Sequence, residues 1–309
     1  MIQRFKPADH DAWLELRKHY IGGSDAGAVM GMSAYKGPFA LWAEKTGRVD
    51  GFNGSITTET GTYLEPFVAK LFERETGKRV RRDNFTMVND LYPWACADVD
   101  RRIIGEDALL ECKTTTSMPN IKKFAAGEYP ETWYCQMTHY LAVTGCKRIY
   151  LAVLINCREF KWFTLDRNQA EIDALMDVEQ DFWKHVTDDV PPAAGAQDGD
   201  AINAAYPAEN KDLPKLDLTG DLSLLEEYES AQAEAKAATE RANALKQQIC
   251  GLMGEHEYGA CDDYKVRWTT VVSNRFDQKA LAAAHPEIDL SPYYKASSAR
   301  RFDFTRITK

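Results

Sequence analysis

A turn is predicted at residues 105–107, and it is flanked by Asp100 on one side and by Glu111 and Lys113 on the other. Two carboxylates and a lysine of this kind could act on a phosphate ester. Strand-like segments on both sides of this turn predict a β-hairpin. Pairing about the turn places Asp100 opposite Glu111, and opposed Cβ atoms of an antiparallel pair lie roughly 4.5–5.5 Å apart. Lys113 shares the face of Glu111, because side chains alternate along a strand. Two hard oxygen ligands at that separation suit Mg²⁺ or Mn²⁺ beside a phosphate.

The spacing of these three residues is weak evidence by itself. An exposed cross-strand cluster of Asp, Glu and Lys gives the same pattern and is the commoner outcome. Asp98 lies on the same predicted face as Asp100 and competes with it as a ligand. We prefer Asp100, because it is the residue paired directly with Glu111.

Three further groups of polar residues lie in or beside predicted helices. Glu65 adjoins the apolar stripe of its helix, where a glutamate more often faces solvent than binds a metal. Gln136 and Tyr140 are four residues apart and share one helical face. Ser24 and Asp25 follow two glycines, and either is a natural N-cap. A glycine-rich turn that opens a helix also offers N–H groups to a phosphate. Arg17 could donate a charge-assisted hydrogen bond to the same phosphate.

Helical and strand patterns mix up to residue 187 and predict an α/β fold, a mixed sheet flanked by helices. The predicted helices are 13–17, 26–30, 63–76, 130–143 and 168–186, and the predicted strands are 93–104, 108–114, 148–155 and 159–164. The segment 188–211 is rich in Pro, Ala, Gly and Asp and is predicted to be a linker.

Residues 212–309 are predicted to form a helical accessory region. A long two-faced helix is indicated by the spacing of Leu225, Tyr228, Ala235, Ala242, Leu245, Ile249 and Leu252. A strand at 266–272, a helix at 278–284 and an edge strand at 300–304 follow it. This helix could pack on the rest of the chain, mediate oligomerisation or bind a partner protein.

The composition is that of an ordinary globular protein and excludes several classes. Of 309 residues, 44% are hydrophobic and 28% charged, so a wholly disordered, collagenous or membrane-spanning chain is excluded. The first ten residues lack the apolar core of a signal peptide, so we expect a cytosolic protein. Seven cysteines without a CxxC pair argue against a disulfide framework or a zinc or iron–sulfur site. The net charge of −9 argues against a uniformly basic surface but permits a basic channel.

Five motifs in order make the chain resemble the phage-type exonucleases of the lambda exonuclease and YqaJ-like recombinase family, within the PD-(D/E)XK nuclease superfamily. They are Trp13-x3-Arg17-x6-Ser24, Gly61-Thr-Tyr-Leu-Glu65-Pro, Val99-Asp100, Leu-Leu-Glu111-Cys-Lys113-Thr and Gln136-x3-Tyr140. The match covers about residues 10–190. The chain departs from the family at Arg101, where many relatives have glycine.

The resemblance implies a restriction-endonuclease-like core over residues 1–187 and a role for each matched residue. The implied metal ligands for Mg²⁺, which Mn²⁺ could replace, are Asp100, Glu111, the carbonyl of Cys112 and, directly or through water, Glu65. The resemblance also implies that Lys113 orients or deprotonates the attacking water, that Gln136 and Tyr140 steady it and contact DNA, and that Arg17 and Ser24 grip a 5′ phosphate.

The resemblance also implies a substrate and partners. The substrate would be a double-stranded DNA end, digested 5′ to 3′ to leave a 3′ single strand for a phage-type annealing protein. Relatives form a ring trimer around DNA, so a homo-oligomer is expected, with no membrane partner. The implied location is the cytoplasm of a bacterial host, with a phage or prophage gene.

Two alternative functions remain open from the sequence. One is a nuclease of the CRISPR-adaptation or helicase-associated type, which shares the superfamily core but commonly has four cysteines around a cluster. The other is a catalytically silent module that binds DNA ends or recruits a partner through the long helix. The complete Asp, Glu and Lys set argues against the silent module.

Overall fold

The structure is a computed structural model that describes residues 1–51, 54–296 and 299–306, and these fall into two compact units. Unit 1 contains Met1–Ala208 and the described residues from Phe302 onward, and unit 2 is Glu209–Arg301. Among the described helices, none is long and apolar enough to cross a lipid bilayer.

Unit 1 alternates strands and helices along the chain. Its elements are β1 (Ile2–Phe5), α1 (His10–Lys18), β2 (Ile21–Gly22), α2 (Gly23–Val29), α3 (Pro38–Lys45), α4 (Ile56–Thr76), β3 (Val80–Arg82), β4 (Thr86–Asn89), β5 (Tyr92–Asp98), β6 (Arg101–Ile103), β7 (Ala108–Thr115), α5 (Met118–Ala125), α6 (Glu131–Thr144), β8 (Arg148–Ile155), β9 (Glu159–Asp166), α7 (Gln169–Thr187) and α8 (Gly199–Ala205). The predicted mixed α/β fold is confirmed.

The central sheet of unit 1 has five strands in the order β3-β6-β7-β8-β9. Strands β7 and β8 are parallel, and the other neighbours are antiparallel. The predicted hairpin is present as β6 and β7, with Arg101 opposite Leu110. Continuing this register by one residue places Asp100 opposite Glu111, as the sequence predicted.

Alternation along β7 and β8 gives each face of the central sheet its own hydrophobic cluster. Leu109 and Ile149 pack on one face with residues of α6, including Met137. Leu110 and Tyr150 point to the other face and pack with α4. Because Glu111 and Lys113 are in phase with Leu109, their side chains lie on the α6 face.

The predicted strand at 93–104 is in fact two strands in two different sheets. Strand β5 belongs to a second sheet, of order β1-β4-β5-β2, and ends at Asp98. Strand β6 then begins at Arg101 in the central sheet. Asp100 lies at the crossover between the sheets, while Asp98 remains in the second sheet, where its carboxylate accepts a 2.5 Å hydrogen bond from Thr86.

Helix α4 extends further toward the N-terminus than the sequence predicted. It begins at Ile56 rather than Tyr63, because Ser55 caps it through a 3.2 Å hydrogen bond from the Thr58 N–H. It ends as predicted at Gly77, which has a φ of 70°. Because of this earlier start, Pro66 lies inside the helix rather than in its first turns.

The predicted linker at 188–211 is partly wrong, because residues up to 205 are folded onto unit 1. Helix α8 lies in this segment and packs Ile202 against the cluster that contains Phe39 and Trp42. Asp198 is fully buried and accepts hydrogen bonds from the N–H groups of Gly37 (2.9 Å) and Ala40 (3.1 Å). The Asp198 carboxylate thus caps the N-terminus of α3 from a distant part of the chain.

Unit 2 consists of a long helix, a small hairpin and short helical segments. Its elements are a 3₁₀ turn (Thr219–Asp221), α9 (Leu222–Met253), β10 (Tyr258–Ala260), β11 (Lys265–Arg267), α10 (Gln278–Ala284) and a second 3₁₀ turn (Ser291–Tyr293). The predicted long helix and the helix at 278–284 are confirmed. The strand predicted at 266–272 shortens to β11, and the edge strand predicted at 300–304 is wrong, because these residues pair with no described strand.

We expect Asp198→Ala to lower the free energy of unfolding by about 1–3 kcal/mol, since it leaves buried N–H groups of α3 without an acceptor. Asp200→Ala, an exposed neighbour in α8, is the matched control and should change stability by less than about 0.5 kcal/mol. Urea unfolding of both variants measures the difference. Equal stability of the two variants would show that the Asp198 cap contributes nothing.

Candidate active site

Glu111 is the centre of the site, although it is a charged residue inside a sheet and only 4% exposed. Its Oε1 atom lies 2.8 Å from the Lys113 Nζ and accepts a 2.8 Å hydrogen bond from the Gln136 Nε2. The same Gln136 amide lies 3.1 Å from the Tyr140 hydroxyl. The predicted Glu111, Lys113, Gln136 and Tyr140 set therefore converges, but Gln136 holds Glu111 rather than Lys113.

Asp100 joins this group from the crossover before β6. Its Oδ2 accepts a 2.8 Å hydrogen bond from the backbone N–H of Cys112, which fixes the carboxylate across the hairpin from Glu111. Burial raises the pKa of Asp100 well above its ordinary value, and the charges of Glu111 and Glu65 raise it further. The site thus holds more negative charge than its own residues neutralise.

Lys113 and Tyr140 both remain protonated at neutral pH. Burial alone would lower the pKa of Lys113, but the Glu111 carboxylate outweighs burial and raises it. Burial raises the pKa of Tyr140 well above its ordinary value, with the charges of Glu111 and Asp100 adding to the effect. Both side chains can therefore act as hydrogen-bond donors beside the carboxylates.

Glu65 lies close to the site but is held by arginines. It forms ion pairs with Arg101 and, at 3.5 Å, with Arg82. Arg101 is opposite Leu110 in the register, so its side chain starts from the face away from Glu111. Arg101 therefore neutralises the third predicted carboxylate.

Arg17 and Ser24, the predicted phosphate residues, are in direct contact. The Arg17 Nη2 donates a 2.8 Å hydrogen bond to the Ser24 hydroxyl, and the guanidinium lies 5.0 Å from the centre of the Trp13 ring. The side chain of Ser24 is exposed, so this pair is open to a ligand.

Asp25 is a buried carboxylate that sequence reasoning named only as an N-cap and missed as part of the site, and it positions this pair. Lys45 lies 2.9 Å from it, Arg17 3.4 Å and Lys36 3.7 Å. Burial alone would raise the pKa of Asp25, but the three cations outweigh burial and hold it well below the ordinary value of 3.8. A signal was present in the sequence, since Asp25 is an ionisable residue among the small apolar residues of α2.

Two glycines bring the Arg17 pair and the carboxylates together. A Cβ on Gly22 would lie 2.9 Å from the Arg17 Nη2, and one on Gly23 would lie 2.4 Å from the Tyr140 ring. Tyr140 therefore packs directly on the turn that bears Ser24 and, through Gln136, is linked to Glu111. Tyr140 is the structural connection between the two halves of the site.

A buried hydrogen-bonded pair, His139 and Glu179, was also missed and packs beside the site. His139 and Glu179 are both fully buried, with 2.8 Å between Nδ1 and Oε1. The other ring nitrogen of His139 lies 2.8 Å from the Cys96 carbonyl, on the strand that pairs with β2. Burial alone would lower the pKa of His139, but the Glu179 carboxylate outweighs burial and raises this pKa.

The basic doublets Arg101-Arg102 and Lys122-Lys123, which are candidates for phosphate contacts, are mostly engaged within the chain. Arg101 pairs with Glu65, and Arg102 lies 2.5 Å from Asp83. Lys123 pairs with Glu131, whereas Lys122 is exposed. Of these four side chains, Lys122 is the one most open to a phosphate.

The carboxylates of Asp100 and Glu111 fit a divalent cation, whereas Glu65, the third predicted carboxylate, is paired with arginines. Glu111 Oε2 is buried and has no hydrogen-bond partner among the described residues. Within the same part of the chain, no three His, Cys, Asp or Glu side chains converge as metal ligands. Asp100, Glu111 and the carbonyl of Cys112 are therefore the donors that remain, since arginines neutralise Glu65.

Comparison with known proteins identifies the family. The model of the YqaJ-like viral recombinase domain matches residues 12–147. The uncharacterized protein YqaJ of Bacillus subtilis (strain 168) is 34% identical over 304 residues, covering 96% of this chain and 95% of YqaJ. The chain belongs to the YqaJ family. The family resemblance seen in the sequence is thereby confirmed for this YqaJ-family protein.

Solved structures of an exonuclease share the fold. The alkaline exonuclease LHK-Exo from Laribacter hongkongensis matches with a TM-score of 0.51, and its complex with dAMP with 0.52. Each match is 18% identical and covers 59% of this chain and 94% of LHK-Exo. The fold is therefore that of LHK-Exo, and together with the family it supports a nuclease.

We expect Asp25→Asn to lower the free energy of unfolding by about 3–5 kcal/mol at pH 7, because Lys45 and Arg17 would lose their buried counter-charge. Because folding depresses the pKa of Asp25, its contribution is complete above the ordinary value of 3.8 and is lost as the pH falls below that. The difference in unfolding free energy between wild type and variant should therefore shrink as the pH falls below about 4.

Denaturant unfolding at several pH values measures this difference, with Asp50→Asn, an exposed carboxylate, as the control. A difference that stays constant down to pH 2 would contradict the depressed pKa of Asp25.

Proposed function

We propose that this protein is a Mg²⁺-dependent DNA exonuclease that hydrolyses phosphodiester bonds at double-stranded DNA ends in the 5′-to-3′ direction. The observation that carries the proposal is the joining of two sites through Tyr140. One site has paired carboxylates with a lysine, as metal-assisted phosphate hydrolysis requires, and the other presents an arginine and a serine. A cleavage site beside a terminal-phosphate site favours an enzyme that acts on ends.

Asp100, Glu111 and the carbonyl of Cys112 would hold the Mg²⁺, for which Mn²⁺ could substitute. The bound ion supplies Lewis acidity, lowering the pKa of a water and stabilising the charge that develops on the phosphate. Two observations support this assignment: the unpartnered Glu111 Oε2 and the raised pKa of Asp100. The first is a buried oxygen without a hydrogen-bond partner among the described residues, and the second is a carboxylate whose ionised form is disfavoured by burial and by the nearby carboxylates.

Each remaining residue has a role that follows from its contacts. Lys113 is protonated, so it donates to the attacking water or to a non-bridging phosphate oxygen and orients it. Gln136 fixes the Glu111 carboxylate, and Tyr140 keeps its proton for donation to the DNA backbone. Glu65, held by Arg101, acts on the metal only through water.

The Arg17–Ser24 pair would bind the 5′ phosphate of the strand being digested. Three cations surround Asp25 at this place, with Glu44 as a further acid paired to Lys36 at 2.8 Å. Three cations and two carboxylates give this cluster a net charge of +1. A net positive charge favours the binding of a phosphate. Digestion from that end would leave a 3′ single strand.

The partners we propose follow from this product and from the family resemblance. The 3′ single strand would be passed to an annealing protein of the phage type. A ring of three subunits around the DNA would hold the enzyme on its substrate between cleavage steps. The contacts with DNA should weaken as salt rises, because they neutralise phosphates.

We expect Lys113→Ala and Asp100→Asn to lower the rate of duplex digestion by at least about 100-fold without unfolding the protein. Digestion of linear duplex DNA with Mg²⁺ or with EDTA measures the rate, and Lys70→Ala, an exposed lysine on α4, is the control. Wild-type protein that is folded but digests no DNA in Mg²⁺ would overturn the nuclease in favour of a DNA-end-binding module.

We expect wild type to prefer ends with a 5′ phosphate over ends with a 5′ hydroxyl, and Arg17→Ala to lose about 10- to 100-fold of that preference. The control is Arg158→Ala, which removes an exposed arginine. A preference that survives in Arg17→Ala, or that is absent from wild type while digestion is intact, would refute the phosphate site and keep the nuclease.

A further inference from the structure

Helix α9 carries an apolar face with a regular repeat. Nine positions alternate by four and three residues, and every one is apolar: Leu224, Tyr228, Ala231, Ala235, Ala238, Ala242, Leu245, Ile249 and Leu252. This 4–3 spacing is the pattern by which a helix packs along a second helix. The central four are alanines, which allow close approach of two helix axes.

Within the described structure, much of this face is open to solvent. Leu224 is 63% exposed, Leu245 49%, Ile249 44% and Leu252 86%, and the four central alanines are also exposed. Large apolar side chains exposed in a line are unusual on a monomer's surface and mark an interaction site.

The charges of α9 are divided between its two halves. From Leu222 to Ala235 the helix has four glutamates, Glu226, Glu227, Glu229 and Glu234, and no basic residue. From Lys236 to Met253 it has three basic residues, Lys236, Arg241 and Lys246, and one glutamate, Glu240. The negative half of one such helix therefore complements the positive half of another that runs in the opposite direction.

We propose that α9 binds the α9 of a second copy of this chain, antiparallel and along the 4–3 face. In the register we propose, Ala235 of one copy packs against Ala238 of the other copy. Glu234 of the first copy then lies beside Arg241 of the second copy, at the edge of the apolar contact. Two-fold symmetry forms this ion pair twice. Within the described residues Arg241 has no salt bridge of its own, so it is available to the second copy.

The alternative pairings of two copies place like charges together. A shift of one heptad in the antiparallel arrangement brings Arg241 beside Arg241, or brings Glu234 beside Glu234 while Glu227 meets Arg241. A parallel arrangement brings Arg241 beside Lys246, because flanking positions of parallel helices pair five residues apart. The charge pattern therefore favours the one direction and register that bring no like charges together.

A groove in unit 2 fits the end of the second helix in this register. Leu245 and Ile249 of α9 line it together with Val266 and Trp268 from the hairpin and the residues after it. The antiparallel register brings Leu224 of the second copy to Ile249. The exposed Leu224 of each copy would thus be buried in the apolar groove of the other copy. Two-fold symmetry repeats this contact at both ends of the helix pair.

The test is the number of subunits of the full-length protein, measured by sedimentation velocity over a range of concentrations. Ala238→Glu should halve the number of subunits or weaken the association at least about tenfold, because it puts a charge at the closest approach. Ala233→Glu, the same change on the outer face of α9, should leave assembly unchanged. Circular dichroism verifies that both variants remain helical.

Charge reversal separates this contact from a general loss of folding. Glu234→Arg and Arg241→Glu should each weaken the association about tenfold, and the double variant should restore it, because the pair is re-formed with its signs exchanged. Glu240→Arg, on the outer face, is the matched control. If a ring of three also forms through unit 1, the two-fold contact predicts six subunits.

A wild-type protein that stays monomeric or trimeric up to about 100 μM, where a contact with a Kd in the micromolar range would be formed, would overturn the proposal. Unchanged assembly in Ala238→Glu would do the same, and so would failure of the double charge reversal to restore association. None of these outcomes bears on the nuclease, whose residues lie in unit 1.

Discussion

The burial of Glu111 is the constraint on which the rest of the site depends. A carboxylate inside a sheet is costly unless charged or hydrogen-bonding groups satisfy it, and here a single oxygen meets both Lys113 and Gln136. Gln136 can reach it only if α6 docks on the sheet in one register. That register also places Tyr140 against Gly23, and so sets the distance from the carboxylates to the Arg17–Ser24 pair. A buried charge on one strand thus fixes the relation between two surface sites.

The site contains neighbouring regions of opposite charge. Around Glu111 and Asp100, carboxylates lie close together in a buried place, and burial together with the charges of Glu111 and Glu65 raises the pKa of Asp100. Around Asp25 the cations are in excess, and the depressed pKa of Asp25 records it. Such a pair of regions suits a cation at one place and a phosphate at the other. The overall charge of −9 is compatible with DNA binding, because these local charges are partly buried and weakly screened.

Support for the phosphate pair reaches far along the chain. Asp198 caps the N-terminus of α3, and the last turn of α3 carries Lys45 to Asp25 and to the Arg17 carbonyl. The segment around Asp198 therefore belongs to unit 1 physically, although its composition is that of a linker. Arg101 shows a related effect, since it neutralises Glu65 and changes the charge of the neighbouring site.

The sequence by itself determined the local features of this protein. Periodicity predicted α6, α7, β8 and β9, because each buries one face or a continuous apolar run. The symmetry of the hairpin predicted that Asp100 faces Glu111, since register follows from the turn. The order of five motifs identified the family, and the spacing of four between Gln136 and Tyr140 predicted their shared face.

The tertiary structure alone decided features that depend on residues distant in the chain. Propensity could not show that the strand at 93–104 crosses between two sheets, because both halves favour extended backbone. The folded part of the predicted linker depends on Asp198 meeting α3, more than 150 residues away along the chain. Asp25, His139 and Glu179 have no diagnostic spacing, because their partners come from other elements. Charges and hydrogen bonds between such elements act through space, and only the fold sets those distances.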